Sequence, residues 1–116
     1  MSQGERFRVC QLNNFKLTGR VTRIFNHHTS TGELVKANIF NFWDNHKGVR
    51  ESCTLEVLFW DDLAITFIDL VSLGHDISVE GNLKLTSYLD KRTSVRISQL
   101  QLHANKLDLI SKNLDF

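Results

Sequence analysis

Apolar and polar residues alternate along the first part of the chain. Phe15, Leu17, Gly19 and Val21 fall on one side of an extended segment; Lys16, Thr18, Arg20 and Thr22 fall on the other. A period of two predicts a strand with one face buried. Gly19 within it predicts a bulge or a close backbone approach, as where a small barrel bends its strands. The alternation changes phase at Arg23-Ile24-Phe25, which fits a bulge. His27–Gly32 reads as a turn of small polar residues. Glu33–Trp43 reads as a second strand, with Val35, Ala37 and Ile39 inward and Lys36, Asn38, Phe40 and Phe42 outward. After the polar loop Asp44–Ser52, Cys53–Trp60 reads as a third strand.

The period then lengthens. Leu63, Phe67, Leu70 and Val71 recur at helical spacing and predict a helix sealing the open end of a barrel. Asp61 or Asp62 is placed to cap its start, and Gly74 to stop it in a left-handed conformation. Asp76–Tyr88 is expected as strand four, with Ile77, Val79, Leu83 and Leu85 inward and Lys84, Thr86 and Tyr88 outward. Leu89–Thr93 reads as a charged turn, and Ser94–Ile110 as a final strand broken near Leu102-His103. The order β-β-β-α-β-β with short connections predicts an all-β, five-stranded Greek-key barrel of the oligonucleotide-binding type, with one helix between strands three and four.

Length and composition add bounds. A chain of 116 residues forms one domain, its core expected over about residues 13–110 between short tails. No apolar run approaches the roughly 18 residues of a membrane span. Met1–Gln11 is polar and lacks the apolar centre of a signal peptide, so a cytoplasmic protein is expected. Cys10 and Cys53 are too far apart and too unlike in context for a disulfide framework or a zinc knuckle.

Net charge is only +1, but it is segregated: residues 16–50 carry +4, residues 51–80 carry −7 with no Lys or Arg, and residues 81–116 carry +3. A basic face on a nearly neutral protein is the expectation. Enzyme chemistry finds little support. The five histidines are scattered, Cys53 has no sequence-evident base, and no glycine-rich phosphate loop is present. No cofactor or metal is expected.

Several segments together resemble the bacterial and phage single-stranded DNA-binding proteins. They are Asn14-Phe15-Lys16-Leu17-Thr18-Gly19-Arg20-Val21, Ala37-Asn38-Ile39, Val57-Leu58-Phe59-Trp60 with Leu63-Ala64, and Leu73-Gly74-His75-Asp76-Ile77-Ser78-Val79-Glu80-Gly81-Asn82-Leu83. The last is the nearest match. Leu102–Ile110 also resembles the end of primosomal replication protein N. The resemblance implies unpaired DNA as ligand, a homodimer or homotetramer, and roles in replication, recombination and repair. It implies base stacking at Tyr88 and Phe59, with Trp43 near a further aromatic site. Cys53 stands where the family often has tryptophan; Phe40, Phe42 and Trp60 are the candidates to substitute.

Base–aromatic stacking tolerates sequence because every base has a π-face. Tyr88 and Trp43 are the favoured stackers, with Arg20, Lys36, Lys84, Arg92 and Arg96 as phosphate contacts and Lys47 and Arg50 as a loop clamp. Periodicity alone assigns Phe59 to the core, and Phe40 and Phe42 equally suit a subunit interface. The missing long acidic tail of the family leaves Leu114-Asp115-Phe116 as a candidate docking end for replication or recombination proteins. The alternative function is a primosome-type adaptor acting mainly through protein–protein contacts.

Overall fold

The computed structural model describes residues 11–111. Arg6, Arg8, Cys10 and the Leu114-Asp115-Phe116 end lie outside them. Five strands, β1 (Phe15–Thr29), β2 (Gly32–Asp44), β3 (Arg50–Trp60), β4 (Asp76–Asp90) and β5 (Val95–Ser111), enclose a barrel, with helix α1 (Asp61–Leu70) between β3 and β4. The strands close in the order β1-β2-β3-β5-β4. All pairs are antiparallel except β3 with β5. This is the oligonucleotide-binding fold expected from the pattern.

Alternation fills the interior. Val21, Val35, Ala37, Ile39, Val57, Phe59, Ile77 and Val79 point inward and are fully buried or nearly so. The β1–β2 register slips between Val21 and Arg23, which leaves Thr22 unmatched and makes the bulge that the phase change predicted. Gly19 sits where a Cβ would run into the Phe40 carbonyl of the neighbouring strand, so the expected close approach is present. Gly81 is a second such point, against the His103 carbonyl and the Phe15 ring.

α1 plugs one end of the barrel with Ala64 and Phe67, and Leu63 packs beside them. Four details differ from expectation. Leu70 is exposed, because the helix ends there and Val71 turns into the core from extended backbone. Gly74 does adopt a positive φ of 89°, but in the turn beyond the helix. Trp60 is the N-cap and makes no side-chain cap bond; Asp61 and Asp62 occupy the first turn, where they favour the helix dipole. β5 is unbroken at Leu102-His103, and the β4–β5 register slips instead at Asn105 and again at Ile110.

β3 and β5 pair through Val57↔Leu102 and Leu58↔His103. Because they run parallel, the portions of both strands before this seam head the same way. Two hairpin arms therefore leave one end of the barrel: residues 40–54 of β2–β3 and residues 82–101 of β4–β5. The helix lies at the opposite end. The molecule is correspondingly long, 64 × 38 × 33 Å. The arms also explain a further departure: Leu83 and Leu85 keep inward parity but are exposed, because the strand outlasts the core beneath it. Among the described residues no helix is long and apolar enough to cross a membrane.

Candidate nucleic-acid interface

The outward face of the strands carries aromatics and cations in register. Arg20 lies opposite Phe40, Phe25 opposite Lys36, and Phe40 opposite Thr54. Across the seam, the outward residues of the β4–β5 arm are Lys84, Thr86 and Tyr88, opposite Gln101, Gln99 and Ile97. An exposed aromatic ring is the unusual observation here. Phe25 and Phe40 are each 38% exposed, Phe42 52% and Tyr88 55%. Phe40 and Phe42 stand 6.2 Å apart, tilted by 41°. The Arg50 guanidinium lies 4.4 Å over the Phe42 ring and that of Arg23 lies 4.8 Å over Phe25. A cation over an aromatic face is attracted there by the ring's quadrupole.

The cations are partly tethered. Arg20 donates to Asp76 at 3.2 Å and Arg50 to Asp44 at 3.1 Å, both at the surface. Surface pairs of this kind are worth little and exchange readily. Beside Arg20 and Phe40, a cleft of about 430 Å³ is lined by Thr18, Gly19, Phe42 and Ile110.

The structure places Arg20, Lys36, Phe40, Arg50, Lys84 and Tyr88 on the outer side of their strands. Lys47 and Arg92 sit in the turns at the two arm tips, where their backbone amides donate to Asn45 and Asp90. Trp43 and Arg96 have the other parity: Trp43 is 43% exposed on the inner side of its arm, and Arg96 reaches back to Ser87. Trp60 lies at the helix end of the barrel, opposite Leu34. Phe59 requires correction. Its ring is wholly buried, 4.7 Å from that of Phe67, and no face is open to a base.

Residues 12–110 match the single-strand binding protein family. The chain belongs to that family. Its fold is similar to that of a deletion mutant of the single-stranded DNA binding protein from Thermus aquaticus (TM-score 0.69, 23% identity, covering 87% of this chain and 51% of that one). It is also similar to the mitochondrial single-stranded DNA binding protein Rim1 from S. cerevisiae (TM-score 0.67, 16% identity, 87% and 97%). The chain spans about half the length of the Thermus protein. No curated protein sequence matches it.

Within this single-strand binding family member, sequence reasoning passed over Phe25 and Arg23. The signal was available: a bulge at the phase change flips the parity of the residues beyond it, turning both outward.

It also passed over His103, at the seam. His103 is half-buried and its Nε2 shares a hydrogen bond with Gln101 Oε1 at 2.9 Å. Burial, and then the positive charge of Lys84, hold its pKa below the usual 6.5. The folded state therefore favours the neutral ring, so the stabilisation is complete above about pH 6.5 and is lost as pH falls. Acidifying from neutral to below that range is expected to destabilise the wild type more than His103→Gln, measured by urea midpoints. Equal losses in both proteins would reject the assignment.

Proposed function

We propose that this protein binds single-stranded DNA without sequence preference, along the outward face that runs from β2–β3 across the seam to the β4–β5 arm. The observation that supports this reading is the set of exposed rings on the outer side of the strands, two of which, Phe25 and Phe42, lie under an arginine. Phe40, Phe42 and Tyr88 stack on bases; Arg20, Lys36, Arg50 and Lys84 neutralise phosphates; Lys47 and Arg92 extend the contact to the arm tips. Trp43 and Arg96 engage DNA that turns over the arm edges. The chain acts as one domain, assembles as a homodimer or homotetramer, and serves replication, recombination and repair in the cytoplasm.

The test is a titration with a fluorescent oligothymidine at several salt concentrations. The four face cations alone give a slope of log K against log salt of about −3, and contacts by Lys47, Arg92 and Arg96 steepen it. Tyr88→Ala is expected to weaken binding by about 1–3 kcal/mol, the contribution of one stacked base, with no change in assembly mass. Weak, salt-insensitive binding by the wild type would overturn the proposal and leave the protein-interaction reading standing. Unchanged affinity in Tyr88→Ala would remove that residue from the site.

A further inference from the structure

We infer that His103 is a phosphate contact at the seam between the two arms, and that it takes up a proton as single-stranded DNA binds. The inference rests on the DNA path proposed above and adds to it one residue and one proton. A row of outward positions crosses the barrel wall in register. Lys36 on β2 lies opposite Leu58 on β3, Leu58 pairs across the seam with His103 on β5, and His103 lies opposite Asn82 on β4. Lys84 stands one pleat beyond Asn82. DNA that follows the wall from Lys36 to Lys84 therefore crosses Leu58 and His103. Leu58 is buried and apolar, so of the two only His103 offers a polar group.

Neighbouring strands lie about 4.8 Å apart, so Lys36 and β4 are separated by about 14 Å along the wall. Even a strand stretched to roughly twice the stacked spacing of about 3.4 Å per nucleotide places a phosphate inside that gap. Among the described residues neither Lys36 nor Lys84 forms an ion pair, so both ends of the gap are open to phosphate.

The ring suits a phosphate only when charged. Gln101 Oε1 accepts from Nε2 at 2.9 Å, which keeps the proton of the neutral ring on Nε2 and leaves a bare lone pair on Nδ1. Protonation turns Nδ1 into a second donor and the ring into a cation. Around it stand Gln101 on its own strand, Asn82 and Lys84 on β4, Leu58 and Glu56 on β3, and Lys36 beyond Leu58. Glu80, one pleat from Asn82, is engaged by Lys16 and Lys106. Burial, and then Lys84, favour the neutral ring in the free protein. A phosphate over the seam offsets Lys84 and pairs with the imidazolium, so the His103 pKa is higher in the complex. Binding that raises a pKa draws in a proton, and affinity grows as pH falls from above the bound value to below the free one.

The experiment compares affinity for a short fluorescent oligothymidine at about pH 7.5 and about pH 5.5, at fixed salt, for the wild type and His103→Gln, each shown to be folded by circular dichroism. The gain on acidification is expected to be about three- to tenfold larger in the wild type, which corresponds to a rise of about half to one pKa unit on binding. The salt slope of the wild type is expected to steepen by about 0.7 at the lower pH. NMR of the assigned His103 ring in the wild type gives a readout that needs no variant: its titration is expected to move to higher pH when oligothymidine is added. An equal gain in both proteins, or a His103 pKa that does not rise with DNA, would overturn the inference and leave the proposed function standing. Absence of oligothymidine binding at both pH values would overturn the proposed function, and the inference with it.

Discussion

Phe59→Ala is expected to remove about 3–5 kcal/mol of folding stability, the usual cost of deleting a buried phenyl ring. The ring lies opposite Val35 in the β2–β3 ladder and against Phe67 of the helix plug, so it ties barrel wall to barrel floor. A cavity there has no exposed side from which to collapse. Domains of this size hold about 5–15 kcal/mol in total, so the variant is expected to lose a large share of its stability and to unfold at a much lower urea concentration. The informative companion is Phe59→Leu, which keeps most of the volume and costs about 1–2 kcal/mol. If the ring is core, Phe59→Leu binds oligothymidine as tightly as the wild type at a temperature where both are folded. A stable Phe59→Leu protein with weakened binding would return the ring to the DNA-contacting set.

Phe59 also shows where a sequence stops informing. Period two placed it inward with Leu55 and Val57, and the structure agrees; resemblance alone placed it outward, and burial overrules that. Inward parity was equally readable for Leu83 and Leu85, yet parity says only which side of a strand a residue takes. Whether a core lies beneath depends on where the barrel ends. That is set by the two-pair contact of β3 with β5, between strands that are not neighbours in the chain. Local alternation carries no trace of a parallel contact so distant in sequence.

The same limit applies to the candidate site. Lys84, Thr86 and Tyr88 share a face because of local alternation, and they were found together. That they point outside the barrel, as Phe40 and Phe42 do, is decided by which side of the sheet its closure encloses. Trp43 illustrates the converse: it was favoured by residue type, but it stands one position out of phase with Phe42, so the pleat turns it to the other side of the arm. The helix was legible as an element because Leu63 and Phe67 lie one turn apart. Its end was not, because Leu70 and Val71 both fit the stripe, and only the extended backbone at Val71 decides between them.

The double variant Phe40→Ala/Phe42→Ala is expected to cause the largest loss of single-strand affinity that leaves the fold standing. Each stacked base contributes about 1–3 kcal/mol, so the pair sets a range of about 2–6 kcal/mol, or on the order of 10²–10⁴ in the dissociation constant. Both rings are half-exposed on the outward face. Their removal costs the fold the buried part of each ring, about 1 kcal/mol apiece, their mutual contact and the contact of Arg50 with Phe42, worth about 0.5–1 kcal/mol at an exposed site. Phe42→Trp, which keeps a π-face under Arg50, is expected to retain binding. The salt dependence separates this effect from a charge effect. The double variant loses affinity with its salt slope unchanged, whereas Lys36→Ala lowers the slope by about 0.7. Mass in solution decides the alternative reading of these rings. A double variant that keeps its affinity but drops to a smaller assembly would place Phe40 and Phe42 in a subunit interface and move the stacking surface to the β4–β5 arm. One that keeps its mass and loses its affinity places the bases on β2.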